Sequence, residues 1–190
     1  MKKVALLYFD TSPLSSIALP MDIFLAAGVF YNSLLGREKE QLFEVWLVTI
    51  DGEGRRCSNM TKLIPQFSIE SLPTPDVLLV MPKISTGMIE SEKKQLMPWL
   101  KKLHRKGVLL GSVCTGAFVL AETGLLDGRK ATTHWGVEHL FRKRFPSVNL
   151  QSHQTVTDEG DFVCSGGANS SADIALHLVR RLASPLIAHE

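Results

Sequence analysis

The sequence predicts an α/β fold: a mostly parallel β-sheet with helices on both faces and a cysteine nucleophile elbow at one strand end. Short continuous apolar runs, such as residues 4–9 (VALLYF) and 77–81 (VLLVM), read as strands covered on both sides. They alternate with longer stretches of helical spacing, the pattern of βαβ units. A cysteine, Cys114, stands between a buried strand and a helix. In such sheets, ligands gather at the carboxyl ends of the strands, near the point where strand order reverses.

The elements follow in order. Residues 4–9 form the first strand, and the recurrence of Ile23, Phe24, Ala27 and Phe30 predicts a helix over 17–31. Residues 43–50 (FEVWLVTI) give a second strand, and 77–81, entered through Pro73 and Pro75, a third. Residues 90–104 carry a helical stripe of Leu96, Trp99, Leu100 and Leu103, then a basic last turn and the stop residue Gly107. A strand at 108–110 leads into a helix over 115–123 closed by Gly124. Beyond it lie a strand at 130–133, a helix over 137–144, extended pieces at 148–156 and 162–164, and a final helix over 169–182. No internal repeat or interdomain linker interrupts residues 1–190, which read as a single domain.

Composition narrows the function. The 190 residues are 45% hydrophobic and 21% charged, an ordinary globular balance. A net charge of +2 is too small for a nucleic-acid surface or a polybasic membrane patch. Three cysteines, Cys57, Cys114 and Cys164, make no disulfide framework and fit a reducing compartment. The apolar run after Met1-Lys2-Lys3 stops at Asp10, too short for a signal peptide, and no run approaches the ~20 residues of a membrane helix. The expected location is the cytoplasm.

The segment Gly111-Ser112-Val113-Cys114-Thr115-Gly116 has small residues two before and two after the cysteine, as a tight strand-to-helix turn requires. A helix starting there would aim its amides at the sulfur, lowering the thiol pKa and offering oxyanion donors. A packed, inert thiol is the alternative. Thr132-Thr133-His134 closes a strand about twenty residues later, and His134 is either a base partner for Cys114 or a histidine bonded only to backbone. His134, Glu138 and His139 lack zinc-motif spacing, so no metal is expected. His104 and His177 read as surface or packing residues, Cys57 and Cys164 as structural. The turn at residues 165–171 (SGGANSS) reads as the cap of the last helix.

These residues resemble a ThiJ/PfpI-type domain of the class I glutamine amidotransferase-like superfamily, over nearly the whole chain. The matching pieces are VALLYF, PMDIFLAAG, DVLLVMP, GSVCTGAFVLAETGLLDGRKATTHW and SGGANSSADIALHLVRR. The resemblance implies a flavodoxin-like three-layer sandwich, often dimeric, with Cys114 as the elbow cysteine and His134 as the strand-end histidine. Two branches are similar: the N-terminal domain of AraC-type transcriptional regulators, and isonitrile hydratase-like enzymes with the same Cys-Thr-Gly elbow.

Two departures separate this sequence from the enzymatic members. Ser16 stands where they carry a carboxylate four residues before the proline of the first helix, here Pro20. Residues 82–84 read Pro-Lys-Ile where they have Pro-Gly-Gly. The resemblance therefore implies first an effector-sensing and dimerising domain without catalytic activity. Its small-molecule effector would lie against Ser16, Lys83, Ile84, Cys114, Thr115 and His134, with no cofactor. DNA would be bound by a helix-turn-helix domain beyond Glu190. The alternative is a hydratase or amidase with Cys114 as nucleophile and His134 as proton shuttle. A third reading is a redox sensor that oxidises Cys114.

Overall fold

The computed structural model describes residues 1–189, the side chain of Tyr31 excepted. The strands are β1 (Lys2–Leu7), β2 (Phe43–Thr49), β3 (Arg55–Arg56), β4 (Lys62–Leu63), β5 (Phe67–Ser68), β6 (Val77–Val80), β7 (Leu109–Val113), β8 (Lys130–Ala131), β9 (Asn149–Leu150), β10 (Val156–Asp158) and β11 (Phe162–Ser165). The helices are α1 (Leu14–Ala26), α2 (Val29–Leu34), α3 (Glu90–Arg105), α4 (Gly116–Ala121), α5 (Glu138–Arg144) and α6 (Ser171–Leu182). Seven strands form one sheet in the order β10-β11-β7-β6-β1-β2-β5. Every neighbouring pair in it is parallel except β10 with β11. The sequence expectation of a mostly parallel, flavodoxin-like sandwich is met.

The continuous apolar runs have the burial they predicted. All four residues of β6 and all five of β7 are buried. On one face Leu7, Leu78 and Val80 pack under Leu96 and Leu100 of α3, Phe118 of α4 and Phe141 of α5. On the other, Leu6, Tyr8 and Leu79 pack under Ile17 and Phe24 of α1 and Ile174 and Leu178 of α6. The chain leaves β1 for β2 on one side and later enters β6 on the other. That makes the β1/β6 boundary the switch point of the sheet.

Several boundaries moved for identifiable reasons. The helix expected over 17–31 begins at Leu14 and breaks after Ala26, where Gly28 adopts φ +80 and a Cβ would lie 2.5 Å from the Glu40 carbonyl oxygen. The strand expected over 108–110 runs on to Val113, so the elbow follows directly from the sheet. The helix over 115–123 shortens to α4, and the strand at 130–133 to β8, which pairs with β9 apart from the main sheet. The last helix opens at Ser171 rather than residue 169. Strands β3, β4 and β5, two residues each, were not expected. Pieces so short carry no period to read.

Candidate functional site

Cys114 sits directly after β7 with φ +55, a left-handed conformation that non-glycine residues rarely hold. Two bonds fix it: its amide donates to the Ser165 carbonyl at 2.8 Å, and its own carbonyl accepts from Thr133 Oγ1 at 2.9 Å. Gly116 opens α4 so close to β6 that a Cβ there would lie 2.2 Å from the Val80 carbonyl oxygen. The expected elbow is therefore present, and its small residues have a packing reason. Of the two readings of the thiol, burial favours the packed one. Burial pushes the Cys114 pKa up, and the opposing hydrogen bonds from Thr115 do not reverse it. The helix behind it is only six residues long, and the residue is 6% exposed.

The residues singled out around it divide into two groups. Thr115 Oγ1 donates to the Lys83 carbonyl at 2.8 Å and accepts the Lys83 amide at 3.1 Å, stitching the turn after β6 to the elbow. Lys83 Nζ donates to Glu92 at 2.5 Å and lies 5.5 Å above the centroid of the Phe9 ring. Cys114, Thr115 and Lys83 thus form one connected edge. Ser16 is fully buried, and its hydroxyl donates to the Pro13 carbonyl at 2.7 Å within the first turn of α1. Ile84 is 61% exposed, so it walls nothing in this state. Asp22 is exposed on α1 and does not replace the missing acid.

His134 is half-buried, and Thr133, not His134, bonds to the elbow. Nδ1 of His134 accepts the Gly136 amide at 3.1 Å, and the ring stacks on Trp135 at 5.4 Å. The amide bond at Nδ1 holds the ring against the turn that follows it. Among the described residues no hydrogen bond joins His134 to Cys114. Of the two readings open for His134, the bond to backbone is the one seen.

Three contributors were missed. Ser12 Oγ donates to the Pro82 carbonyl at 2.6 Å and accepts the Phe9 amide at 3.1 Å, joining the loop after β1 to the turn after β6. Thr11 beside it holds φ +64. The Thr-Ser-Pro run after a strand was the available signal, as turn chemistry. Glu92 was read only as part of a helix. Cys57 and Cys164 are buried thiols whose pKa burial raises. His104 and His177 pair with Asp161 at 2.7 Å and Asp158 at 2.6 Å, away from the elbow. Among the described residues no group of three His, Cys, Asp or Glu is placed to hold a metal, and no helix is long and apolar enough to cross a membrane.

With this geometry in place, comparison with known proteins is informative. Residues 2–181 match the model of the DJ-1/PfpI family. The HTH-type transcriptional regulator CdhR of Pseudomonas aeruginosa is 32% identical over 147 residues, covering 77% of this chain and 43% of that regulator. The isonitrile hydratase of Pseudomonas putida is 30% identical over 155 residues, covering 80% of this chain and 64% of the enzyme. Among solved structures, an AraC family transcriptional regulator from Pseudomonas putida superposes with a TM-score of 0.84 at 22% identity, over 100% of this chain and 96% of that one. The chain spans about half the length of the curated regulators it matches, 43% of CdhR and 46% of GbdR from the same genus.

Proposed function

The chain belongs to the DJ-1/PfpI family, and from that premise we propose that it is the effector-sensing half of an HTH-type transcriptional regulator rather than a catalyst. One observation carries this reading. The elbow is built, but Ser16 stands where an acid is expected, no hydrogen bond among the described residues links His134 to Cys114, and burial raises the thiol pKa. A cysteine so placed is not the thiolate that nucleophilic catalysis needs. The regulators CdhR and GbdR are matched over 77% and 95% of this chain, which supports assigning it their sensing portion.

In this reading a small molecule binds at the carboxyl edge of the sheet, against the Lys83 turn that Thr115 ties to Cys114. A helix-turn-helix domain following residue 190 binds DNA, and the sensing domains pair as a homodimer in the cytoplasm. Binding must favour one arrangement of the two domains over another, since equal affinity for both shifts nothing. The test is to read the natural gene past codon 190 and assay the full-length product for DNA binding by gel shift. A helix-turn-helix sequence and retarded DNA are expected. A stop codon at that point, or a full-length product that binds no DNA, overturns the reading. Sedimentation equilibrium of the full-length product is expected to give a dimer.

The second reading rests on the likeness to isonitrile hydratase and on the left-handed Cys114. It requires turnover of isonitriles that is abolished by Cys114→Ala. No turnover is expected.

A further inference from the structure

A cavity of about 110 Å³ opens at the switch point, lined by Tyr8, Phe9, Asp10, Ile50, Arg55, Lys83 and Glu92. It lies at the carboxyl ends of β1, β2 and β6, on the side of the sheet where Phe9 packs with α3. Cys114 packs with the α1/α6 side instead. Tyr8 of the cavity wall packs on that same side, and the Lys83 peptide, whose amide and carbonyl Thr115 holds from the elbow side, links the two positions.

The charges in the wall are already matched. Lys83 pairs with Glu92, and Arg55 pairs with Asp51 at 2.7 Å and Asp10 at 3.5 Å. A ligand bringing a net charge would leave that charge, or a displaced wall charge, without a partner in a partly buried place. What the wall leaves unmet is hydrogen bonding. Among the described residues Lys83 Nζ has one partner for its three donors, and only one oxygen of Glu92, Oε2, is engaged, by Lys83 and the Ile89 amide. The lysine side chain is 13% exposed. The face of Phe9 and the side chain of Ile50 supply an apolar floor.

We propose that this cavity, rather than the space over Cys114, receives the effector, and that it selects a small uncharged molecule carrying a carbonyl oxygen beside an N–H or O–H group. The inference rests on the sensing-domain reading above and gives that domain its ligand class. The carbonyl oxygen accepts from Lys83 Nζ, and the N–H or O–H donates to the free oxygen of Glu92. Neither ion pair has to break. The volume suits roughly five heavy atoms, given that a 150 Å³ cavity holds benzene. Glu92 also accepts the Ile89 amide at the start of α3, so occupancy of the cavity is felt at that helix end.

Titration of the purified 15N-labelled chain with acetamide, acetate, methylammonium and glycine, followed by amide NMR shifts, tests this without any DNA. Acetamide is expected to bind in the millimolar range, the order that so few atoms supply, with shifts at Phe9, Asp10, Arg55, Lys83 and Glu92. Lys83→Met is expected to weaken acetamide at least tenfold. Glu92→Gln, whose amide offers one oxygen where Glu92 uses two and places a donor at the other position, is expected to weaken it at least threefold as well. Thermal melts of both variants confirm that they fold. The proposal is overturned if only charged members of the panel bind, if shifts centre on Cys114 and His134, or if no member binds. Failure here with intact DNA binding by the full-length protein sinks the ligand site and leaves the regulator reading standing. Acetamide binding at these residues, with a full-length protein that binds no DNA with or without acetamide, does the reverse.

Discussion

At Cys114 and Tyr8 the same force, loss of water, decides the chemistry. The elbow places Cys114 at a strand end, and burial pushes the thiol pKa up. The expected outcome is an alkylation midpoint for Cys114 above the ~8.5 of a free cysteine, read peptide by peptide by mass spectrometry across pH. A midpoint below that value would restore the catalytic or redox reading. Tyr8 is fully buried at the end of β1, with its hydroxyl donating to the Leu63 carbonyl at 3.0 Å, and burial raises its pKa to about 12. A raised pKa in an acid that loses a proton to become charged means the unfolded chain ionises first. Stability from this group is thus fully present below pH ~10 and lost as pH rises towards 12. Tyr8→Phe is expected to cost about 1 to 2 kcal/mol at pH 7, because the Leu63 carbonyl is left without its donor. Urea melts should show that deficit shrinking above pH 10, since the variant has nothing to ionise. A deficit that stays constant to pH 11.5 would contradict the assignment.

Elements meet in this fold at contacts too close, or too highly charged, to accept ordinary substitutions. The start of α4 lies against β6 with no room for a methyl group at Gly116. Gly116→Ala is expected to destabilise by about 3 kcal/mol, since the clash is with backbone and the strand cannot yield. A melting temperature within 2 °C of the parent would show that α4 shifts freely. Asp158 of β10 joins α6 to the sheet edge through His177 at 2.6 Å and Arg181 at 3.0 Å. Its carboxyl lies below the usual range, from hydrogen bonds and the positive charge of those partners acting against its burial. A depressed carboxylate gives stability above its unfolded pKa of ~3.9 that is lost as pH falls through the folded value. Asp158→Asn is expected to cost about 1 to 2 kcal/mol at pH 7, discounted for partial exposure, with parent and variant converging below pH 3. Comparison of their chemical melts at both pH values checks this.

Across the whole molecule, the sheet and its site were legible to different depths. Long apolar runs such as 77–81 were readable because burial on both faces is written in every residue. The elbow was readable because Gly111 and Gly116, where a Cβ would meet the Val163 and Val80 carbonyl oxygens, flank the cysteine between sheet and helix. What the sequence hid were facts of partnership between distant residues. The engaged Nδ1 of His134, the Ser12 bridge to Pro82 and the Lys83–Glu92 pair depend on which loops meet at the carboxyl edge. Burial at Cys114, which pushes the thiol pKa up against the helix start, belongs with them, since it is set by the whole packing and not by the neighbours in sequence. That packing also sets how the molecule answers pH. Asp51, Asp76, Asp158 and Asp161 all have lowered pKa values, while Tyr8 and the three buried thiols have raised ones. The carboxylates withdraw stability only as pH falls below ~4, and the thiols and Tyr8 only as it rises above ~8.5. Unfolding free energy from urea melts is therefore expected to be flat between about pH 5 and 8 and to fall on both sides, the alkaline limb in two stages as thiols and then Tyr8 ionise in the unfolded chain. A maximum below pH 4, or an alkaline limb unchanged in Tyr8→Phe, would mean that other groups govern the profile.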